Sequence, residues 1–541
     1  MREKSLPIWL TIAIALIAFG AGFLIDRHYQ QRSLSSYDSD NSTVKAILDL
    51  IAQEYVDTVN PDALMKRSIP FILSGLDPHT CYFDSQNSKI TREHTDGVIP
   101  DIGAVLIIFN DTIHVECIVP AGPSDIAGVL PGDCIVKIDG QPTANIKKTS
   151  GEVYNLLSGP DGSKVTLSVQ RHGNPKFLDF TVTRNRVIKR TIDSYYLLDY
   201  NTGYVKVNQF ERNTQQEFVQ ALTQLQVQGA KRFMIDVRGN GGGYMEIAVL
   251  MANEFLSAGQ PIVTTRGRNK QYNHSYKSDG KGQFQNVELA VLIDEYSASA
   301  SEIFAGALQD NDRAIIVGRR SFGKGLVQKE FVLPDSSAIR LTTARYYTPS
   351  GRCIQKDYKY QDAGYYDDEL LKRLKHGELF NKDSIRIDKN QAFATLHGRT
   401  VYGGGGIIPD LFVARDTAGI TNYFIDVENA ALLQRFAFTY CEQNRTALEQ
   451  MSDYKQFLRT TPIDNSLLKE FAEFAAENGV APRWYYINKS RDLILTKIKA
   501  IIAHDIFGPE GYASIVNRND KTVQEALKAL NKHKAAFPIT D

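Results

Sequence analysis

The chain has 541 residues, several times the size of one hydrophobic core, so roughly two to four domains are expected and none needs a metal or a disulfide to fold. Lysine plus arginine equals aspartate plus glutamate at 62 each, which excludes the bulk basic surface that holds nucleic acid. The five cysteines, Cys81, Cys117, Cys134, Cys353 and Cys441, show no CxxC or Cys/His ligand spacing, so zinc binding and thiol chemistry both lose support.

Residues 6–25 are almost uninterruptedly apolar, with Arg2 and Lys4 ahead and Asp26 and Arg27 behind, the length and flanks of one bilayer crossing. The small residues at 18–21 are followed by more apolar positions, which favours an uncleaved anchor over 1–28 against a removed signal peptide. Residues 29–43 read as a polar, serine-rich tether, and 44–95 as a short helical region that closes near the Asp77-Pro78 turn.

Between 96 and 185, strand-like runs at 104–109, 112–118, 134–138, 165–170 and 177–182 are divided by Gly, Pro, Asp and Asn turns, the pattern of one small β-rich module. Over 186–415 the regime changes. Strand-like runs at 203–210, 232–237, 288–293 and 314–317 alternate with helical ones at 218–225, 244–255 and 301–308, which argues an α/β core. Residues 416–541 are helical and charged, at 423–440, 467–478, 491–504 and 523–533, and read as an appended helical domain.

The 288–293 strand runs into Ser297-Ala-Ser-Ala-Ser-Glu302, placing serines at a helix start where unpaired N–H groups steady a nucleophile or an oxyanion. By themselves the same residues also read as N-cap serines with a capping glutamate. Lys324 lies between two glycines, and burial there disfavours its charge. A neutral amine within reach of a serine takes its proton, the Ser-Lys form of nucleophilic catalysis. A phosphate loop is the weaker reading, because the Walker spacing and the Ser or Thr after the lysine are missing. Upstream, Asp236-Val-Arg-Gly-Asn-Gly-Gly-Gly243 ends a strand in a turn whose successive N–H groups suit an oxyanion, or mark only a sharp turn needing positive φ. None of the ten histidines stands beside a recognisable nucleophile and no His-Glu-x-x-His pattern occurs, so neither a metal nor another cofactor is expected.

Taken together these stretches resemble the C-terminal processing (tail-specific) proteases, over about residues 55–410. Leu76-Asp-Pro-His-Thr80 looks like that family's N-terminal turn, and 236–243 like its Asp-Leu-Arg-x-Asn-Pro-Gly-Gly turn, with Gly241 in place of proline. Ser297-Ala-Ser-Ala-Ser-Glu-Ile303 is similar to its nucleophile segment, Phe322-Gly-Lys-Gly-Leu-Val-Gln328 to its general-base segment, and 341–352 to the strand and loop that follow. The resemblance implies a crotonase/ClpP-like α/β protease core. It implies Ser299 as nucleophile, Lys324 as base, Gln328 orienting the lysine, and oxyanion donors at the Gly242 and Ala300 amides.

Residues 120–140 resemble a PDZ domain inserted in that core, in which the loop Ile102, Gly103, Ala104 and Val105 would hold a peptide's terminal carboxylate. The implied partners are proteins or peptides with free, apolar C-termini, with a homo-oligomer open. The implied place is a bacterial inner membrane, crossed once, with the catalytic body on the periplasmic side. An inactive peptide-binding scaffold and a carrier of apolar ligands, like the retinoid-carrying proteins, are the rival readings; the intact Ser299, Lys324 and Gln328 argue against both.

Overall fold

The computed structural model describes residues 41–85, 87–88, 98–109, 112–119, 121–143, 150–171, 174–188, 190–358, 363–461 and 464–532. The expected anchor at 6–25 and most of the tether lie outside them, and no described helix is long and apolar enough to cross a membrane. The chain divides after Leu76 into two units. The first holds α1 (Asn41–Glu54), which starts inside the expected tether, and α2 (Pro61–Ser74). Asn60 caps α2 by accepting from the Asp62 and Ala63 amides at 2.9 and 3.1 Å, and Pro61 fills the first turn, where a missing N–H costs nothing.

The second unit opens with the Asp77 turn and β1 (Cys81–Phe83). A β module follows: β2 (Val98–Asp101), β3 (Ala104–Phe109), β4 (Thr112–Ile118), α3 (Pro123–Ala127), β5 (Cys134–Ile138), β6 (Gln141–Pro142), α4 (Ser150–Leu157), β7 (Lys164–Gln170), β8 (Leu178–Thr183) and β9 (Asn185–Ile188). Its sheet runs β3-β4-β5-β7-β8 with β6 on β5, around a core that includes Ile113, Val115, Ile135, Val165, Leu167 and Val169. All five expected strands are present within a residue or so. The helix α4 was not expected, although Val153, Leu156 and Leu157 carry helical spacing.

The α/β core comprises β10 (Ser194–Leu197), β11 (Thr202–Lys206), α5 (Thr214–Val227), β12 (Arg232–Asp236), α6 (Met245–Asn253), β13 (Pro261–Arg266), β14 (His274–Lys277), β15 (Glu288–Ile293), α7 (Ala300–Asp310), β16 (Ile315–Gly318), β17 (Leu326–Val332), β18 (Ala338–Tyr347), α8 (Ala363–Lys375), β19 (Ala392–Ala394), β20 (Thr400–Tyr402) and β21 (Leu411–Phe412). Six strands form one sheet, β10-β11-β12-β15-β16-β21, parallel from β11 onward. β12 is buried at every position and β15 at all but its first, as expected for parallel strands covered on both faces. A second, antiparallel sheet, β1-β18-β13-β14 with β17 on β18, was not legible as a separate layer. It brings residues 77–83 against β18.

The C-terminal part has α9 (Asn422–Asn429), α10 (Leu432–Glu449), α11 (Tyr454–Thr460), α12 (Asn465–Glu477), α13 (Trp484–Asn519) and α14 (Lys521–Lys532). Gly508 (φ 73°, ψ −168°) and Pro509 break α13 into two limbs. The helices α9 to α13 form a cluster of their own, around Phe436, Phe457, Phe471, Ile494 and Ile498. α14 does not belong to it. Val523, Ala526 and Leu530 pack with Met234, Ala290, Leu292 and Val317 on one face of the parallel sheet, while Phe233, Ile235, Val291 and Ile293 face α5 to α7 on the other. The segment read as appended therefore covers one side of the core sheet. The reason is the two-residue period of the strands, whose second apolar row needs a cover.

Arg352 and Asp310 are both fully buried and joined at 2.7 Å, and Arg352 also reaches the Tyr402 carbonyl oxygen at 2.9 Å. Removing the cation strands a buried carboxylate, so we expect Arg352→Ala to destabilise the core by about 3–5 kcal/mol. Calorimetric unfolding checks this.

Candidate active site

The chain leaves β15 at Asp294 and enters α7 at Ala300. Of the three serines at 297, 299 and 301, the outer two are tied down. Ser297 Oγ donates to the Val237 carbonyl oxygen at 2.8 Å and Ser301 Oγ to the Asn240 carbonyl oxygen at 2.9 Å, and both residues are fully buried. Ser299 alone is half-buried and caps the helix with φ 56° and ψ −114°, a backbone conformation costing about 1–3 kcal/mol for a residue with a Cβ. The glycine turn lies directly against it. A Cβ on Gly242 (φ 107°) would stand 2.7 Å from Ser299 Cβ, so only glycine fits there.

Glu302, on the first turn of α7, is the hub. Its Oε2 accepts from the Ser299 amide at 2.9 Å and from the Lys324 amide at 2.8 Å; its Oε1 accepts from the Gly323 amide at 2.7 Å and Ser321 Oγ at 2.6 Å. Ser299 and Lys324 thus hang on one oxygen atom, their amide nitrogens no more than two hydrogen bonds apart. Burial lifts the Glu302 carboxyl to about 6 even against these four donors. The Tyr346 hydroxyl, from β18, lies 3.2 Å from the Ser299 carbonyl oxygen and also contacts that of Lys324.

Lys324 Nζ donates to Gln328 Oε1 at 3.1 Å, and Gln328 Nε2 donates to the His79 carbonyl oxygen at 2.6 Å. Nζ and Ser299 Oγ are not hydrogen-bonded to each other. Burial, with Arg340 adding to it, lowers the pKa of the lysine, opposed by Glu302 and Asp77. The His79 turn is set by Asp77, whose carboxylate accepts from the His79 and Thr80 amides at 2.9 and 3.1 Å and from Thr80 Oγ1 at 2.6 Å. Burial and the Lys324 charge press His79 down to about 4, so its ring is neutral, with Nε2 2.8 Å from the Tyr366 hydroxyl. A second lysine, Lys356, is pushed down to about 8 by burial. Its ammonium sits 3.8 and 3.9 Å from the Phe322 and Tyr366 ring centres, and its amide donates to the Gly323 carbonyl oxygen at 2.9 Å, which makes it a prop behind the lysine loop.

With a half-exposed serine on a strained strand-to-helix turn and a lysine of lowered pKa tied to it, the arrangement suits acyl transfer. A model described as Peptidase family S41 matches residues 201–362, a PDZ domain model matches 114–171, and a family of unknown function matches 423–508. Among solved structures, the photosystem II D1 C-terminal processing protease is similar at 29% identity with a TM-score of 0.33, covering 57% of this chain and 82% of that one. The chain is 31% identical to the carboxy-terminal processing protease CtpB of Bacillus subtilis, covering 60% of this chain and 67% of the relative. To a carboxy-terminal-processing protease of Bartonella bacilliformis it is 36% identical, covering 57% and 71%. The chain belongs to peptidase family S41.

This S41 protease is a serine-type endopeptidase of the carboxy-terminal processing group, with a PDZ domain in its β module. The structure places Ser299, Ala300, Gly242, Lys324 and Gln328 near one another, and the Gly242 amide donates to Asn240 Oδ1 at 2.8 Å. Of the two expected oxyanion donors, only the Ala300 amide has no partner among the described residues. The segment Ile102 to Val105 belongs to the β module, at the start of β3. Ile102 is buried, its carbonyl accepting from the Ser124 amide at 2.8 Å; Gly103 has φ 70°; Ala104 and Val105 begin β3, an edge strand whose second side is unpaired among the described residues.

Sequence reading missed the reach of Glu302, Tyr346 and His79, since their partners lie far along the chain. The Asn240 bond was signalled, because asparagine two residues before an amide in a turn commonly accepts from it. In Glu302→Gln one acceptor becomes an NH₂ group facing N–H donors, and the charge that holds the Lys324 pKa up is removed. We expect kcat to fall by about 10²-fold and the residual activity to begin its alkaline rise at a lower pH than wild type, read from a pH–rate profile.

Proposed function

We propose that Ser299 is the nucleophile and Lys324 its general base in cleavage of protein substrates near their C-termini. The observation that carries this reading is the shared Glu302 oxygen, which joins the segment of a strained, half-exposed serine to that of a lysine of lowered pKa. Lys324 takes the Oγ proton as Ser299 attacks the scissile carbonyl carbon. The Ala300 amide, at a helix start, stabilises the oxyanion together with an N–H of the 241–243 turn. Collapse breaks the C–N bond, the lysine ammonium gives its proton to the leaving amine, and an acyl-enzyme remains. Water, deprotonated by the same lysine, then hydrolyses the ester and restores the serine. Gln328 holds the amine without adding a negative charge that would keep it protonated.

The PDZ domain, on this reading, engages the substrate tail as an added strand along the open edge of β3, with the 102–105 loop meeting the carboxylate. The apolar run at 6–25 is proposed to anchor the chain in a bacterial inner membrane, with the catalytic body on the periplasmic side.

An unstructured peptide with a free apolar C-terminus serves as the test substrate. Ser299→Ala is expected to abolish its cleavage while leaving the unfolding midpoint close to wild type, and turnover by that variant would remove the nucleophile assignment. The wild-type rate is expected to climb from neutral to alkaline pH as the lysine loses its proton. Lys324→Arg is expected to be as inactive as Lys324→Ala, since a guanidinium does not deprotonate. Amidating the peptide's C-terminus is expected to raise KM several-fold; equal KM for free and amidated peptides would show that the 102–105 loop does not read the carboxylate.

A further inference from the structure

The turn that carries the oxyanion-side glycines is held from outside the protease core. Arg238, two residues after the end of β12, clasps Asp236 through Nη2 at 2.7 Å and Nε at 3.0 Å, and its Nη1 donates to Asp520 Oδ2 at 2.7 Å. Asp520 is the single residue joining α13 to α14, and its other oxygen caps α14, accepting from the Thr522 and Val523 amides at 2.7 and 3.0 Å. One carboxylate thus starts the helix that covers the core sheet and ties down Arg238. From Arg238 the path to the serine is short. The Gly239 amide donates to Asp294 Oδ1 at 2.9 Å, the Ala298 amide to the Asn240 carbonyl oxygen at 3.0 Å, and Gly242 touches Ser299.

A cavity of about 630 Å³ borders both Arg238 and Asp520, so a guanidinium released from its partner has space to leave its place. Asp236 also accepts from the Tyr204 hydroxyl at 2.8 Å and faces Lys206 at 3.6 Å; it is therefore not Arg238's alone and does not hold Nη1.

We propose that Asp520 is a positioning residue for cleavage at Ser299: it pins Arg238, and through it the 239–242 turn, in the geometry the transition state needs. This inference rests on the reading of Ser299 as nucleophile. The C-terminal segment then takes part in the reaction's geometry as well as covering the sheet.

Asp520→Asn in the full chain separates the two duties of the carboxylate. Asparagine caps a helix as well as aspartate does, but with its oxygen on the α14 amides it turns an NH₂ group toward Arg238. The expected result is a kcat at least about tenfold below wild type, with KM within twofold and an unchanged unfolding midpoint. Phosphonylation of Ser299 by a fluorophosphonate, which needs no substrate tail, is expected to slow in parallel. Asp520→Ala is expected to lose the same activity and also to lower the midpoint, because the cap goes with the ion pair. Wild-type kcat in Asp520→Asn, or a loss that tracks the unfolding midpoint in both variants, would overturn the proposal. Ser299→Ala measured alongside keeps the two readings apart, since turnover there would fault the nucleophile and not Asp520.

Discussion

The serine and lysine segments of the candidate site hang on the buried carboxylate of Glu302. It gathers donors from two segments, Ser299 at the start of α7 and Ser321 to Lys324 ahead of β17, and among the described residues nothing else joins their amides through one atom. Four donors compensate for much of the desolvation that a fully buried charge suffers, though not all of it, since the carboxyl still rises to about 6. The same charge has an opposing effect on its neighbour, because a carboxylate close to Lys324 favours the ammonium. The Lys324 pKa is therefore set by a balance: burial and Arg340 press the lysine toward neutrality, and Glu302 and Asp77 resist.

That centre is positioned by a sheet whose two faces are covered by distant parts of the chain. Phe233 and Ile235 of β12 point to α5, α6 and α7, while Met234 between them packs with Val523, Ala526 and Leu530 from far along the chain. α7 leaves the C-terminal end of β15, beside the glycine turn that leaves the parallel neighbour β12, so the Ser299 segment and the turn meet because their strands are paired. Such a crevice beyond the carboxyl ends of parallel strands is where α/β sheets place ligands.

Elements set by local pattern were legible and contacts set by topology were not. β15 is readable at both ends because six apolar-rich residues precede a polar turn, and the helical span read at 423–440 contains two helices because Ala431 takes a left-handed conformation that no propensity announces. Glu302 reads as a capping residue, and it does accept from the Ser299 amide, but its other donors come from some twenty residues further along. Asp77 and His79 read as a helix stop. Their tie to Gln328 appears only once β1 joins β18. Of the three serines, only the family resemblance singles out Ser299, because the bonds that occupy Ser297 and Ser301 run to Val237 and Asn240 in another strand and turn.

Those two bonds also explain how a strained serine persists. A side chain at φ 56° costs free energy, and an isolated turn would relax to recover it. Relaxation here is blocked on both sides: Ser297 and Ala298 are fastened to residues 237 and 240, Ser301 to residue 240, and the Ser299 amide to Glu302. Moving Ser299 would break several hydrogen bonds among fully buried groups, each leaving a donor or acceptor stranded at about 1–3 kcal/mol, which exceeds the strain. The consequence is chemical. On the proposed role of Ser299, its Oγ is presented next to a helix-start amide that has no partner among the described residues, so a transition state formed there finds a dipole already oriented.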